Sequence, residues 1–288
     1  MARRAGQPTV RSRLLAMMLR KLRLSAGVTN SEAAKAAGMS PSVLSNVETA
    51  KSGIYLDNLI KLLNLYHVSE SLRAWLIDIA SHAEERGWLQ MPSDTTLPED
   101  WQTWTELEAN ATGVFNYETV LIPGLLQTPE YAKAIIRSTT SGLSSHEVDK
   151  LTSSRIARQA LFGRTCPLKL HAIIEESALN RPVGGADAWI RQLQHLISCA
   201  THPNITIQIA PTNVGSHRGL NGPFVILDYG DNTKLVHLEN KTINLFLDQE
   251  EEIEEYMQTW AELQEISHNA EKSVKLISVI LARADQKT

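Results

Sequence analysis

Cysteine is scarce in this sequence, and long apolar runs are missing. The two cysteines, Cys166 and Cys199, lie far apart and form no C-x-x-C motif, so neither a disulfide framework nor a cysteine-ligated metal is expected. No segment approaches the roughly 18 consecutive apolar residues of a membrane-spanning helix. No apolar segment follows the N-terminal arginines, so no secretory signal is expected and the cytoplasm is the expected location.

Motifs for catalysis and cofactor binding are missing as well. The nine histidines show neither H-x-x-x-H nor H-x-H spacing, which disfavours a metal site. The sequence has no G-x-S-x-G elbow, P-loop or dinucleotide fingerprint. The acidic run at residues 248–255 is expected to form a solvated first turn of a helix, where carboxylates favour the helix dipole. We therefore expect no enzyme, no cofactor and no metal.

Basic residues are concentrated at the N-terminus. Residues 1–53 carry nine Lys or Arg and two Glu, whereas the rest of the chain carries 19 Lys or Arg and 30 Asp or Glu. The overall charge of −4 therefore combines a basic N-terminal segment with an acidic remainder. A positive segment favours a polyphosphate partner, and the acidic remainder is expected to be repelled by the same partner.

Residues 11–53 predict three helices. In the first helix, apolar residues recur at helical spacing: Leu15, Met18, Leu19 and Leu22. Gly27 is suited to end this helix. Thr29 stands three residues before Glu32, which predicts a capping box at the start of the second helix.

The second and third helices predict a compact helix-turn-helix. The second helix consists largely of small residues, which let another helix approach closely: Ala33, Ala34, Ala36 and Ala37. Gly38 suits the left-handed residue after this helix. Ser40 is a good N-cap for the third helix, and Pro41 suits its first position. Leu44 and Val47 are expected to point inward. In such a motif the second helix of the pair inserts into the DNA major groove.

Residues 11–66 resemble the Cro/C1-type (Xre) helix-turn-helix domain. The resemblance implies that Arg23 and Glu48 form an ion pair between the first and third helices, and burial would make that pair matter for orientation more than for net stability. The family often has Gln at the positions of Asn30 and Pro41, and proline cannot bind adenine through two hydrogen bonds.

Base contacts are therefore assigned to Ser42, Val43 and Asn46, because Asn pairs with adenine and a Val methyl contacts thymine. Asn30, Ser45 and Lys51 are expected to bind phosphates. The full predicted DNA-binding set is Arg20, Asn30, Ser31, Ser40, Pro41, Ser42, Val43, Ser45, Asn46 and Lys51.

Beyond residue 80 the chain resembles large actinobacterial regulators whose C-terminal domain is described as Scr1-type, antitoxin-like or DUF5753-like. The similar segments are ERGW (85–88), IPGLLQTPEYAKA (122–134), RPVGG (181–185), HPNITIQIAP (202–211) and GLNGPFVILDY (219–229). The resemblance implies a small partner protein, encoded nearby, that relieves DNA binding.

The predicted organisation is a helix-turn-helix domain at residues 1–81, an ordered connector at 82–104 and a regulatory, partner-binding and dimerisation domain at 105–288. Trp88, Trp101 and Trp104 are expected to fix the connector. The fold class is α+β, an all-α N-terminal domain followed by a larger domain with a small sheet and flanking helices. Strands are predicted at 168–175, 205–210, 223–227 and 234–238, with an extended stretch near 113–121. Further helices are predicted at 55–66, after Ser69, and at 186–201, 249–266 and 269–284.

Two groups in the larger domain are candidates for a partner or ligand surface. Pro123, Gly124, Leu125 and Leu126 form an apolar turn that is expected to lie in a partner surface or a dimer seam. His217 and Arg218 lie in a glycine-rich loop before a strand, and RPVGG forms a second such loop. Ordinary loop chemistry is the alternative explanation for both loops.

Two main functions are consistent with these features. The first is a sequence-specific transcriptional regulator, a homodimer on a pseudo-palindromic site in double-stranded DNA, with half-sites about one helical turn apart. The second is an antitoxin that neutralises a small partner protein and binds DNA for autoregulation. A ligand-sensing or enzymatic C-terminal domain is a more distant third.

Overall fold

The computed structural model describes residues 8–85, 89–91, 103–230, 233–240 and 244–285. The chain forms two compact units. The head unit consists of residues 1–107 and 239–253, and the body unit consists of residues 108–238 and 254–288. Trp88, Trp101 and most of the predicted connector lie outside the described residues, and the domain boundaries expected from the sequence remain predictions.

The head unit is mainly helical, as predicted. Its helices are α1 (Val10–Ser25), α2 (Asn30–Ala37), α3 (Pro41–Glu48), α4 (Leu56–Leu65) and α5 (Glu70–Ser81), and α6 (Thr103–Asn110) begins in it. Two short strands, β1 (Leu89–Met91) and β7 (Asn244–Leu247), pair antiparallel in this unit. Neither strand is predicted from the sequence, because both are too short to show an alternating pattern. Trp104 stacks on Phe246 of β7, with ring centroids 6.5 Å apart.

The head core forms where the helices approach one another. Helix α2 contacts α3 and α4, and α1 contacts α3 and α5. The small residues Ala33, Ala34 and Ala37 of α2 are fully buried, as expected for a helix against which other helices pack closely. Ala36, on the other side of α2, is exposed. Within the described residues, the head core contains seven fully buried leucines, each of which contributes about 1.5–3 kcal/mol: Leu14, Leu19, Leu44, Leu59, Leu62, Leu63 and Leu76.

The body unit has an α+β fold. Its strands are β2 (Gly113–Glu118), β3 (Lys169–Glu175), β4 (Ile205–Ala210), β5 (Phe224–Asp228) and β6 (Lys234–Glu239), the last residue of which belongs to the head unit. Its helices are α7 (Pro129–Thr139), α8 (Ser145–Ala157), α9 (Glu176–Leu179), α10 (Ala186–Cys199), α11 (Glu250–Ile266) and α12 (Ala270–Asp285). Helix α11 begins in the head unit.

Five strands of the body are hydrogen-bonded in the order β6-β5-β2-β3-β4. Strands β2, β3 and β4 are parallel, and β2–β5 and β5–β6 are antiparallel. Helices α7 and α8 connect β2 to β3, and α10 lies between β3 and β4 in the chain. Such helical crossovers are the usual way to join parallel neighbours. The α+β class predicted from the sequence is therefore confirmed.

Helix α11 covers one face of this sheet with aromatic residues. Trp260 meets Phe115 and His171 edge-on, with ring centroids 5.3 and 5.0 Å away. Phe224 contacts Tyr256 in the same manner, with centroids 5.0 Å apart. Edge-to-face pairs of this kind add about 0.5–1.5 kcal/mol each beyond their buried area.

The outer strand β4 is covered by the junction between α11 and α12. The main-chain N–H of Ile209 donates to Oγ of Ser273 at 3.0 Å. The carbonyl oxygen of Ile209 accepts from the main-chain N–H of His268 at 2.9 Å. Both polar groups of this residue therefore have partners.

Candidate nucleic-acid interface

The turn between α2 and α3 has the geometry of a helix-turn-helix. Gly38 adopts a left-handed conformation with φ of 74°, and the N–H of Met39 donates to the carbonyl oxygen of Ala34 at 2.9 Å. Oγ of Ser40 then accepts from the N–H of Val43 at 3.3 Å, with Pro41 at the first helical position. The predictions that Gly38 ends α2 in a left-handed conformation and that Ser40 caps α3 are confirmed. The predicted capping box of Thr29 at the start of α2 is confirmed as well.

Helix α3 has one buried side and one exposed side. Leu44 and Val47 are buried, as predicted. The opposite side exposes Ser42, Val43, Ser45 and Asn46. Val43 keeps 45% of its surface exposed although it is β-branched and apolar. The helix of eight residues is about 12 Å long, so its exposed side matches a few base edges in a major groove.

Some polar side chains on this exposed side are hydrogen-bonded within the protein, and others are not. The hydroxyls of Ser40 and Ser42 are 3.0 Å apart and hydrogen-bonded to each other. Among the residues that the structure describes, the side-chain amide of Asn46 has no hydrogen-bond partner. The carbonyl oxygen of Asn46 accepts from the N–H of Lys51 at 2.8 Å, which fixes the chain where it leaves α3. Lys51 is exposed.

The remaining predicted DNA-binding residues lie on the neighbouring helices α1 and α2. Asn30 is the first residue of α2, partly exposed, and Ser31 follows it and is exposed. Arg20 is exposed in the second half of α1. N–H groups at a helix N-terminus, together with cationic side chains, are suited to binding phosphate oxygens.

Arg23 and Glu48 form a buried, two-pronged ion pair between α1 and α3. Nε of Arg23 lies 2.7 Å from Oε1 of Glu48, and one terminal guanidinium nitrogen lies 2.9 Å from Oε2. The other terminal nitrogen donates to the carbonyl oxygen of Val28 at 3.1 Å. The hydrogen bond to Glu48 raises the pKa of Arg23. Desolvation by burial, followed by the Glu48 carboxylate, raises the pKa of the nearby Tyr66 hydroxyl.

In the body unit, the predicted partner surface at residues 123–126 needs correction. Pro123, Leu125 and Leu126 are buried and Gly124 is only partly exposed, so this turn belongs to the core. The fully buried amide of Gln192 fixes it, because the amide donates to the carbonyl oxygen of Leu126 and accepts from the N–H of Thr128, each at 2.7 Å. The apolar sequence of the turn reflects core packing, and these side chains are not accessible to a partner in this conformation.

His217 and Arg218 are adjacent in sequence but lie in different environments. The His217 side chain is 4% exposed, with Nε2 3.4 Å from Oε1 of Glu175. The same carboxylate oxygen accepts from the hydroxyl of Tyr117 at 2.6 Å. Arg218 is 45% exposed and pairs with Glu255 and Glu262, each at 3.3 Å. His217 therefore belongs to a buried polar cluster at the carboxyl end of β3, and Arg218 is engaged with α11.

Asp248 has a structural role that its sequence pattern does not reveal. It begins an acidic run that is expected to be solvated, yet Asp248 is 6% exposed, and its Oδ2 accepts from the main-chain N–H of Val10 at 2.7 Å. The sequence gives one indication that Asp248 is buried, which is its position directly after the apolar strand β7 and before α11. Asp248 lies just before the start of α11, but its carboxylate accepts the hydrogen bond from the first residue of α1, Val10.

The described residues contain no group of three or more His, Cys, Asp or Glu side chains arranged to hold a metal ion. In the same part of the chain, none of the helices has the length and apolar character needed to cross a membrane.

Comparison with known proteins gives matches for both parts of the chain. Residues 101–279 match the family model described as a domain of unknown function (DUF5753), and residues 14–76 match one described as a helix-turn-helix domain. Among solved structures, the chain is similar to the clp gene regulator ClgR from C. glutamicum, with 23% identity over 28% of this chain and 100% of that chain, at a TM-score of 0.22. No curated protein matches the chain.

Proposed function

The chain belongs to the DUF5753 family and carries a helix-turn-helix domain at its N-terminus, and we propose that it is a sequence-specific, DNA-binding transcriptional regulator of the cytoplasm. The observation that carries this proposal is the exposed side of α3. It presents Ser42, Val43 and Asn46 next to each other on a helix whose opposite side is buried, and the Asn46 amide has no hydrogen-bond partner within the described part of the chain. Asn46 is the residue best suited to recognise adenine, through its N6 and N7 atoms.

The orientation of α3 supports the same function. A recognition helix must hold its register on DNA, and the Arg23–Glu48 pair joins α3 to α1 through two parallel hydrogen bonds. Such a two-pronged pair fixes geometry in a way that a single contact does not. Exposed cations at Arg20, Lys35 and Lys51 supply the sequence-independent attraction to phosphates.

We propose that the regulator binds DNA as a homodimer. One helix of eight residues contacts too few bases for a specific site, and dimeric helix-turn-helix proteins overcome this with two half-sites about one helical turn apart. The acidic remainder of the chain, with 30 Asp or Glu against 19 Lys or Arg, is repelled by DNA and suits the role of holding two heads together.

We also propose a small partner protein that relieves DNA binding, on the strength of the resemblance to Scr1-type regulators. Co-expression with the neighbouring small open reading frame tests this. Altered occupancy of the bound DNA site supports the regulator, whereas rescue of growth from a toxic partner supports the antitoxin.

Selection of bound sequences from a random duplex pool tests the main proposal. The selected sequence is expected to be a pseudo-palindrome, and a scrambled duplex is expected to compete at least about a thousandfold less well at moderate salt. Equal competition by the scrambled duplex, with and without the partner protein, would refute sequence-specific recognition.

A further inference from the structure

A cleft of about 200 Å³ opens in the head unit on the inner side of the recognition helix. Its floor is apolar and is formed by Leu15 and Ala16 of α1 and by Val47 of α3, all of them buried. Ser52, Gly53 and Ile54, which follow α3, form one wall, and Glu84 after α5 lies at the exposed rim. The cleft therefore touches the helix that carries the exposed DNA-facing residues.

The hydroxyl of Ser52 is the unusual group in this cleft. Its oxygen is shielded from solvent and has no hydrogen-bond partner among the residues that the structure describes. An unpaired buried polar group is destabilising, because it has lost its hydrogen bonds to water without gaining a partner in the protein. A serine hydroxyl has three staggered positions, so rotation toward the cleft loses no existing hydrogen bond and offers the hydroxyl a partner if the cleft is filled.

Charge restricts what can fill the cleft. Among the described residues that line it, Glu84 is the one charged residue, and its carboxylate makes no ion pair with any described residue. Arg11, which precedes the lining residue Ser12, donates instead to the carbonyl oxygen of Glu85 at 2.9 Å. A carboxylate without a cationic neighbour in the lining disfavours anions and favours an amino group.

We propose that this cleft is a small-molecule site for a compact amine that also carries a hydroxyl or carbonyl group. The amino group meets Glu84 and the second polar group meets Ser52. At the ~30 Å³ that one water molecule occupies, the volume suits about seven non-hydrogen atoms. Because Val47 and Ser52 flank the DNA-facing residues Asn46 and Lys51 in sequence, the ligand acts as an effector within the DNA-binding unit itself. The site goes beyond the proposed function, since binding of the amine does not require DNA.

Disulfide exchange on the full chain tests the charge preference directly. The Ser52→Cys variant is equilibrated with cystamine, with hydroxyethyl disulfide and with dithiodipropionate, and the adducts are counted by mass spectrometry. The exposed natural thiol of Cys166 serves as the internal reference. The aminoethyl adduct at position 52 is expected to exceed the carboxyethyl adduct by about fivefold relative to Cys166, the size of one exposed ion pair. Adding Glu84→Gln is expected to remove this excess.

Thermal unfolding without any cysteine change gives a second readout. Ethanolamine is expected to raise the melting temperature of the native chain with increasing concentration, and propionate is not. The Ser52→Ala and Glu84→Gln variants are expected to lose this response. Without ligand, Ser52→Ala is expected to melt at or above the native temperature, because it removes an unpaired hydroxyl.

Three results would overturn the proposal: equal adducts of all three disulfides, no response to ethanolamine, or a clearly lower melting temperature of Ser52→Ala. None of these measurements contains DNA, so failure of the effector site is distinguishable from failure of the proposed function.

Discussion

The main-chain N–H of Val10 donates to Oδ2 of Asp248 across 238 positions of sequence. Val10 is the first residue of α1, where N–H groups have no partner within the helix. A carboxylate there also interacts favourably with the helix dipole. The DNA-binding unit therefore depends on a residue from the last fifth of the chain.

Asp248→Ala is expected to lower the free energy of unfolding by about 1–3 kcal/mol, because it leaves a buried N–H without an acceptor. Asp248→Asn keeps an oxygen acceptor and is expected to cost less. Urea denaturation measures both variants. The control is Glu250→Ala, which removes an exposed carboxylate of the same segment. An equal effect of Asp248→Ala and Glu250→Ala would contradict the capping role.

Breaking the Arg23–Glu48 pair is expected to be costly on either side. Arg23→Ala or Glu48→Ala leaves a buried charge without its partner, which costs about 3–5 kcal/mol. The double variant with apolar residues, Arg23→Met with Glu48→Leu, is expected to recover most of this stability while DNA affinity stays reduced, because α3 loses its fixed orientation. The exposed pair Lys275–Glu271, 2.7 Å apart, is the matched control, and its disruption is expected to leave the free energy of unfolding nearly unchanged, because solvent screens an exposed pair. Single variants as mild as this control would show that the pair is dispensable.

Asn46→Ala is expected to weaken binding to the selected DNA sequence by about 10- to 100-fold and to leave non-specific binding unchanged. Lys51→Ala is expected to weaken both equally and to reduce the salt dependence by about one ion. Fluorescence anisotropy with the selected and a scrambled duplex measures the two effects. Asn213→Ala, an exposed asparagine of the body unit, is the control. A uniform loss in Asn46→Ala would reassign Asn46 to the DNA backbone.

Gly219→Ala is expected to destabilise the body unit. An added Cβ would lie 2.6 Å from the hydroxyl of Tyr117 and 2.8 Å from a methyl group of Leu263, and overpacking of this kind costs about 1–3 kcal/mol. Gly163→Ala is the control, because nothing lies within 4 Å of its added Cβ. The two variants should therefore differ clearly in thermal unfolding, and equal melting temperatures would show that the loop adapts freely.

Acid is expected to destabilise the body unit through His171. Burial lowers the pKa of this imidazole below its ordinary 6.5, although a hydrogen bond with Gln208 opposes the shift. Below about pH 6.5 the unfolded chain binds a proton that the folded chain does not, so the free energy of unfolding falls with pH in this range. His171→Gln is expected to flatten the dependence as the pH falls below about 6.5. The exposed His146→Gln is the control, and an unchanged slope in His171→Gln would exclude His171 as the cause.

Local chemistry made the first three helices predictable. Thr29, Ser40 and Gly38 are caps and turn residues that act within a few positions of themselves, so their roles can be derived from the sequence. The strands β3 to β6 were predicted to within one residue or so at each end, because alternation of apolar residues is also a local property.

Properties that depend on distant parts of the chain were not predictable. The sheet order, with β2 between β3 and β5, requires pairings that no local pattern encodes. An apolar turn such as the one at Leu125 has the same sequence pattern in a partner surface and in a core. Its burial and its hydrogen bond with Gln192 place it in the core, and Gln192 is distant in sequence. The burial of Asp248 was unpredictable for the same reason, since its partner is at the other end of the sequence.

The cover that Ser273 and His268 place over Ile209 has a consequence for shortened forms of the chain. Without α12, the main-chain N–H of Ile209 in the outer strand β4 would lose its acceptor Ser273, and an edge strand with unpaired main-chain groups recruits strands from other molecules. Trimming this last helix should therefore produce cross-molecular sheets and insoluble material, so that the helix acts as a guard against self-association as well as a part of the fold.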